Sequence, residues 1–236
     1  MLFESLQRLG VVAALSQKTD GTCSLRTQED RAKALEHRAA FCARFGLDSN
    51  HLVCAQQVHS ATVALADNSA RGRGACDWAS AIPATDGIVT TVPALPLALL
   101  VADCVPVYLV DVAGRAAGLL HAGRRGTLRN VAGRGVSALR EHFHTMPAAI
   151  HAVIGPSAGP CCYEVSPTIA DAFAAAGLPT AGRRLNLWEA NRAQLVAAGV
   201  PATQITVTGI CTICDGRFYS YRAGDRTQRN MALLAL

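Results

Sequence analysis

The chain has 236 residues; half of them are hydrophobic and 17% are charged. This composition excludes an intrinsically disordered chain, which combines low hydrophobicity with high charge. The formal net charge is +5, and 20 of the 22 basic residues are arginines. These arginines are scattered, whereas nucleic-acid binders often carry basic runs with interleaved aromatic residues. We therefore expect a small anionic substrate and no nucleic acid.

The cysteine content indicates a reducing compartment. Nine cysteines are an odd number, and the apolar residues 11–15 are too short for the core of a signal peptide. We predict a cytoplasmic protein whose thiols serve metal binding or catalysis. Residues 92–110 are long enough to span a bilayer, but three prolines and Asp103 interrupt them. Two buried strands are the better interpretation, with no membrane partner.

Hydrophobic periodicity predicts helices at about 28–45, 126–143, 166–176 and 187–198. It predicts strands at 51–58, 61–66, 86–92, 97–102, 105–111, 116–121, 149–154, 204–209 and 230–236. The strands outnumber the helices between them, which argues against a repeating βαβ pattern. The expected fold class is mixed α/β of the α+β kind, with a layered mixed sheet and flanking helices.

Two catalytic motifs occur in unfavourable contexts. Residues 155–159 match G-x-S-x-G, but Pro160 and Pro167 leave little room for the helix that a nucleophile elbow requires. Residues 133–138 match a dinucleotide-binding fingerprint without the strand that should precede it. Neither motif is expected to be functional.

Two further patterns concern metals. Cys211 and Cys214 form a C-x-x-C pair, and Cys161 with Cys162 lies upstream, so a zinc site is one interpretation. Buried, inert thiols are the other. The chain has only seven histidines, with a single H-x-H at residues 142–144. That number argues against a true multicopper oxidase, which needs many imidazole ligands.

A stronger constellation consists of His59, Cys104 and His121. Each lies at the end of a predicted apolar strand, where side chains from distant segments can converge. Two histidines and one cysteine make a catalytic zinc set with the fourth position open. Each residue taken alone also fits a core cysteine or a hydrogen-bonded histidine.

The chain resembles the YfiH family, also called the laccase-domain or polyphenol oxidase family. The resemblance runs from about residue 52 to the end, and residues 17–21 retain only a degraded form of a family segment. The matching segments are QVHSATV (57–63), TDGIVT (85–90), ADCVPVYLVD (102–111), HAGRRGT (121–127), IGPSAGPCCYEV (154–165), LNLWEANRAQLVAAGV (185–200) and ICTICDGRFYSYR (210–222). The resemblance implies one domain over residues 1–236.

The resemblance also implies a function and a metal. Family members act on purine nucleosides, and their metal ligands correspond to His59, Cys104 and His121. Zn²⁺ is the expected ion, with Cu²⁺ as the alternative. The expected activity is phosphorolysis of adenosine, inosine or methylthioadenosine, together with deamination of adenosine. Zinc lowers the pKa of a bound water to about 7, which produces a nucleophile for such chemistry.

Three residues next to the triad are predicted to bind substrate. Arg125 is the expected phosphate ligand, because arginine binds phosphate bidentately and a helix N-terminus favours anions; the alternative is an exposed arginine. Asp103 is expected to orient a ligand or pair with an arginine, unless it is only a turn residue. Arg124 stands where the family usually has tryptophan, so the substrate walls are expected to differ.

Two other functions remain open. The family also includes editing enzymes that remove a wrongly incorporated amino acid from a muramyl nucleotide, and Arg124 beside Arg125 suits such an anionic substrate. A copper-dependent polyphenol oxidase, or a metal-binding protein without turnover, is the third interpretation. The sequence leaves the oligomeric state unknown.

Overall fold

The computed structural model describes residues 1–25, 31–113 and 115–236. The helices in these ranges are α1 (Glu4–Gln7), α2 (Arg31–Ala43), α3 (Arg124–Leu128), α4 (Val131–Phe143), α5 (Pro167–Ala175) and α6 (Leu187–Ala197). The strands are β1 (Val12–Leu15), β2 (Val53–Cys54), β3 (Val63–Leu65), β4 (Gly87–Thr90), β5 (Leu97–Val101), β6 (Val105–Asp111), β7 (Ala116–Ala122), β8 (Ile150–Ile154), β9 (Thr180–Ala181), β10 (Arg184–Leu185), β11 (Ile205–Val207) and β12 (Asn230–Ala235).

The strands form two principal sheets with mixed parallel and antiparallel pairing. The larger sheet has the order β11-β8-β6-β7-β4-β3, and the smaller has the order β1-β12-β5-β2. A separate two-stranded sheet joins β9 to β10. The predicted mixed α/β fold class is therefore confirmed.

The alternation of side chains along β6 explains how the layers pack. Tyr108 and Val110 point into a core shared with Leu97 and Leu234 of the smaller sheet. The Tyr108 hydroxyl also donates a hydrogen bond of 2.8 Å to the Ala14 carbonyl oxygen across this interface. Successive strand residues face opposite sides, so Val107 joins the second core instead.

Helices cover the outer faces of both sheets. The second core lies between the larger sheet and the helices α4, α5 and α6, which contribute Leu139, Phe173 and Leu195. A third cluster places Phe41 of α2 against Leu233 of the smaller sheet. The resulting layers are helix, small sheet, large sheet and helices.

Most of the predicted elements are present, with three corrections. The predicted helix at 28–45 is observed at Arg31–Ala43, and residues 28–30 lie outside the described residues. The helix predicted at 126–143 is divided into α3 and α4, because Asn130 has a φ of +60° and accepts the Gly133 N–H on its side-chain oxygen. The strand predicted at 51–58 is paired in β2 only over Val53–Cys54.

The apolar stretch at 92–110 forms two strands, as predicted. β5 and β6 belong to different sheets, and residues 102–104 connect them. Among the described helices, none has both the length and the apolar character needed to cross a bilayer.

The structure also clarifies the two discounted motifs. The Ser157 hydroxyl is buried and accepts a 2.6 Å hydrogen bond from the Trp188 indole N–H. The next helix begins only at Pro167, so Ser157 does not sit on a nucleophile elbow. The glycines of the dinucleotide-like fingerprint lie inside α4, where no strand-to-helix turn exists.

Candidate metal centre

Three distant segments bring His59, Cys104 and His121 together at one end of the larger sheet. His59 lies in the connection from β2 to β3, Cys104 immediately precedes β6, and His121 is the penultimate residue of β7. Val105 pairs with Ala122, so the start of β6 lies beside the end of β7. One ligand atom from each residue of the triad lies within 4.8 Å of the other two.

Two residues of the site have left-handed backbone conformations. The φ angles are +61° for His59 and +80° for Asp103. A non-glycine residue in this region is uncommon and must be held by its surroundings. The His59 N–H donates to Asp86 at 3.0 Å, and the His59 carbonyl accepts from Arg129 at 3.3 Å.

Asp86 organises both histidines. It is fully buried, and its Oδ1 lies 2.7 Å from Nδ1 of His121. Its carboxylate also accepts the backbone N–H groups of Val58, His59 and Ser60 and the hydroxyl of Ser60. Burial alone would raise the pKa of Asp86, but the hydrogen bonds from His121 and Ser60 lower it to about 2.

Asp86 has the position of a residue that orients a metal ligand. A metal-ligating histidine usually donates its second ring N–H to a carboxylate, which fixes the tautomer. With Nδ1 of His121 directed at Asp86, Nε2 remains for a metal. Sequence reasoning missed this role, although Asp86 lies in the quoted segment at 85–90. Its only local signal was a carboxylate at the start of a strand.

The electrostatics favour a thiolate at Cys104. Burial raises the pKa of the Cys104 thiol, but the adjacent rings of His121 and His59 outweigh that effect and lower the pKa to about 6. Burial opposes the charged form of His121, while Cys104 and Asp86 raise the pKa of its ring. Thiolate and imidazole donors are the ligands that zinc and copper accept.

The backbone beside the triad is shaped to leave room for it. A Cβ atom on Gly123 would lie 2.8 Å from Cys104 Sγ and 3.2 Å from His59 Cδ2. The chain therefore passes the ligands at a distance that only glycine permits. Both this close approach and the donor set fit a single metal ion held by the triad.

The triad opens into a cavity of about 350 Å³. Such a volume is at the small end of the range for ligand pockets, roughly 300–1,000 Å³. The described residues that line it beside the triad include Gln57, Trp78, Asp103, Tyr163, Tyr221, Arg222 and Arg229. Aromatic rings and arginines thus surround the open side of the metal centre.

The residues predicted to bind substrate have different positions. Asp103 lines the cavity, but its carboxylate accepts hydrogen bonds of 2.7 Å from the Thr212 hydroxyl and from the backbone N–H of Arg222. Arg124 is half-buried, and its charge acts on the Tyr163 hydroxyl. Arg125 is exposed on α3, and neither arginine is among the described residues that line the cavity. Their roles in binding remain predictions.

Gln57 is a second residue whose role the sequence did not reveal. Its side-chain amide donates to the Leu100 carbonyl and accepts from the Leu100 N–H, both at 2.8 Å. The side chain thereby continues the pairing of the edge of β5. This contact fixes the segment that carries His59 against the smaller sheet.

The fold and the site together define the class of this protein. It is a mixed α/β protein in which two histidines and one cysteine meet at the end of a sheet and line a cavity. A family model described as multi-copper polyphenol oxidoreductase laccase matches residues 6–236. The chain belongs to this family, which confirms the resemblance to YfiH proteins. The match also extends the similarity into the first 51 residues.

Individual relatives agree with this assignment. The chain is 36% identical over 242 residues to purine nucleoside phosphorylase YlmD of Geobacillus stearothermophilus, covering 94% of this chain and 88% of that protein. It is 33% identical over 205 residues to adenosine deaminase RL5 of an unknown prokaryotic organism, covering 82% and 78%. The crystal structure of the YfiH protein of Bacillus licheniformis superposes with a TM-score of 0.91 at 32% identity, covering 100% and 95%. These relatives support an enzyme with a small-molecule substrate.

Proposed function

We propose that this protein is a zinc-dependent purine nucleoside phosphorylase that accepts adenosine, inosine and methylthioadenosine and also deaminates adenosine. The observation that carries the proposal is the His59–Cys104–His121 triad in the lining of a cavity of about 350 Å³. The activities in the names of the relatives support the same substrate class.

The three side chains of the triad would bind one ion, and Asp86 holds both histidines in place. His59 and His121 would contribute neutral imidazoles and Cys104 a thiolate, and Asp86 fixes the proton of His121 on Nδ1. When bound, zinc supplies Lewis-acid chemistry beside the cavity, with one coordination position left open. Copper is the alternative ion, because the same donor types also bind it.

Aromatic side chains of the cavity provide surfaces for a purine. Trp78 is 52% exposed and lines the cavity, so its indole is accessible for stacking. Tyr163 also lines the cavity, with the Arg222 guanidinium 5.0 Å from its ring centroid. Stacking on such rings holds a base without requiring one particular hydrogen-bond pattern, which suits an enzyme for several purine nucleosides.

Arg222 is the cavity residue best suited to phosphate. Its guanidinium is exposed and lies at the cavity wall. In phosphorolysis, a phosphate oxygen forms the new bond to C1′ of the ribose while the C1′–N9 bond breaks. The base leaves with the bonding electrons and takes up a proton, and the products are the free base and ribose 1-phosphate. Arg222 would hold the phosphate dianion for this attack.

The direct test is chromatography of the products from zinc-loaded protein and adenosine, with and without inorganic phosphate. Adenine and ribose 1-phosphate that form only with phosphate establish phosphorolysis. Inosine and ammonia that form without phosphate establish deamination. Both products should vanish in a Cys104→Ala variant and persist in Cys76→Ala, since Cys76 is exposed and outside the triad.

Other outcomes of this assay would overturn the proposal. Release of an amino acid from a muramyl nucleotide, with no reaction on adenosine, would establish the cell-wall editing function instead. Oxygen-dependent oxidation of a phenol by copper-loaded protein, again without nucleoside turnover, would establish the oxidase.

A further inference from the structure

A second cluster of thiols lies outside the triad. Cys161, Cys162, Cys211 and Cys214 place their four sulfur atoms within 4.8 Å of one another. The first two follow β8 and the last two follow β11. β8 and β11 are parallel neighbours in the larger sheet, with Ile154 opposite Val207, so both connections leave the sheet at the same end.

The spacing of the sulfur atoms matches a tetrathiolate ion site. Sγ of Cys214 lies 3.1 Å from Sγ of Cys162 and 3.6 Å from Sγ of Cys161. Zinc–sulfur bonds of about 2.3 Å in a tetrahedron separate the sulfur atoms by about 3.8 Å. Both observed separations are somewhat shorter than that value and all four sulfur atoms lie within 4.8 Å of one another, so small side-chain rotations would bring all four onto one ion.

The backbone around Cys211 also prepares it as a ligand. The N–H of Gly159 donates to Cys211 Sγ at 3.3 Å, and the N–H groups of Ile213 and Cys214 also bond to it. A C-x-x-C turn whose N–H groups converge on the first sulfur is suited to stabilise a metal-bound thiolate.

We propose that Cys161, Cys162, Cys211 and Cys214 bind a second zinc ion, in a structural site separate from the triad. Four thiolates close the coordination sphere and leave no position for substrate, unlike the three ligands of the triad. The site is thus distinct in chemistry as well as in location.

The second ion would stabilise the wall of the cavity. Asp103 precedes the ligand Cys104, its carboxylate binds the Thr212 hydroxyl, and its carbonyl accepts the Ala158 N–H at 2.9 Å. Thr212 lies between the two cysteines of the C-x-x-C turn, and Tyr163 of the cavity directly follows Cys162. An ion held by all four cysteines would join these two connections and fix Tyr163 relative to Asp103.

The experiment counts metal in the reduced, full-length protein loaded with Zn²⁺ and then freed of weakly bound ion with a chelator. Elemental analysis should find two zinc ions per chain in the wild type and in Cys76→Ser. It should find one in Cys214→Ser, one in Cys104→Ala and none in the double variant. Cys76 is exposed and belongs to neither cluster, so its variant controls for the loss of a thiol.

Cobalt spectroscopy identifies which site a given ion occupies. Co²⁺ in a tetrathiolate site gives intense thiolate charge-transfer and tetrahedral ligand-field absorption. The intense bands of the four-thiolate site should remain in Cys104→Ala, whereas Cys214→Ser and Cys161→Ser should keep only the weaker absorption of the single Cys104 thiolate. In the wild type, the charge-transfer absorption at saturation should correspond to about five thiolates shared by two cobalt ions, so misfolding of a variant does not prevent the test.

Three results would overturn the proposal. One is a wild type with a single tightly held zinc that Cys104→Ala abolishes. Another is a Cys214→Ser protein that keeps both ions and the cobalt bands. The third is a Cys162–Cys214 disulfide in protein purified under reducing conditions, with no second ion.

Discussion

The Asp86 carboxylate lies 2.7 Å from Nδ1 of His121 and simultaneously accepts the backbone N–H of His59 at 3.0 Å. One buried side chain therefore fixes the ring of one triad histidine and the backbone of the other. Since His59 has a left-handed conformation, the orientation of its ring depends on this anchor. The triad is held together by a residue that is not itself a ligand.

Asp86→Asn should weaken metal binding by about 10- to 100-fold, the usual consequence of losing the carboxylate behind a ligating histidine. In this variant, the asparagine NH₂ group would face the N–H and O–H groups that donate to the carboxylate of Asp86 in the wild type. Unpaired buried donors of this kind cost about 1–3 kcal/mol, so the free energy of unfolding should fall as well. Competition with a chromophoric zinc chelator measures the affinity, and urea unfolding measures the stability.

Asp67→Asn is the matched control for that variant. Asp67 also accepts a backbone N–H and a hydroxyl from one serine, but it is exposed and is not among the described residues that line the cavity. Its variant should bind zinc as the wild type does. Unchanged zinc affinity in Asp86→Asn would refute the anchoring role.

Cys104→Ala should lose the triad metal and the activity together while the protein remains folded. Cys104 is only half-buried, so removing its sulfur creates no large cavity. Lewis-acid stabilisation contributes several kcal/mol to a transition state, which corresponds to a loss of about three orders of magnitude in kcat/KM. Circular dichroism, zinc content and nucleoside turnover measured on one preparation check all three parts. Full activity in this variant would show that the triad is not the reactive site.

His59, Cys104 and His121 were predicted to lie together because each ends a predicted apolar strand and because the family resemblance points to the same three residues. The structure brings them together, although His59 lies in the connection between β2 and β3. Cys104 and His121 lie at adjoining ends of β6 and β7, and strand ends converge by topology alone. The role of Asp86 was not predictable in this way. It depends on a long-range contact with the connection at residues 58–60, which no local pattern encodes.

The same limit explains the other differences between expectation and structure. The break between α3 and α4 depends on the left-handed conformation of Asn130, which periodicity does not detect. β1 is stabilised as a strand by its pairing with β12, more than 200 residues away, so its four apolar residues carried no clear signal alone. The two cysteine pairs meet because β8 and β11 are parallel neighbours in the larger sheet. This strand pairing could not be predicted from the sequence.

Gly123→Ala should disturb the triad without unfolding the protein. The φ angle of Gly123 is −69°, which alanine adopts without strain, so the effect comes from the new methyl group. That group would be too close to Cys104 Sγ for both to keep their positions. We expect zinc affinity to fall at least tenfold, measured by chelator competition.

Gly216→Ala is the appropriate comparison, because a Cβ at Gly216 would meet no atom within 4 Å. Its zinc affinity should equal that of the wild type. If both glycine variants bind zinc equally well, then the close packing around the ligands has no role in metal binding.

The last prediction separates two candidates for the phosphate ligand. Arg222→Ala should raise the KM for phosphate by about 10- to 100-fold, because a hydrogen bond between charged groups contributes about 1.5–3 kcal/mol. Deamination of adenosine, which uses water in place of phosphate, should change little. The backbone N–H of Arg222 still bonds to Asp103 in this variant, whereas the guanidinium loses its hydrogen bond to the Glu164 carbonyl and its contact with the Tyr163 ring.

Arg125→Ala tests the ligand that the sequence predicted. Arg125 is exposed on α3 and is not among the described residues that line the cavity, so the effect on the KM for phosphate should be less than threefold. Steady-state kinetics with varied phosphate at saturating adenosine compares the two variants directly. A large effect at Arg125 with none at Arg222 would assign the phosphate to α3 and overturn the role of Arg222.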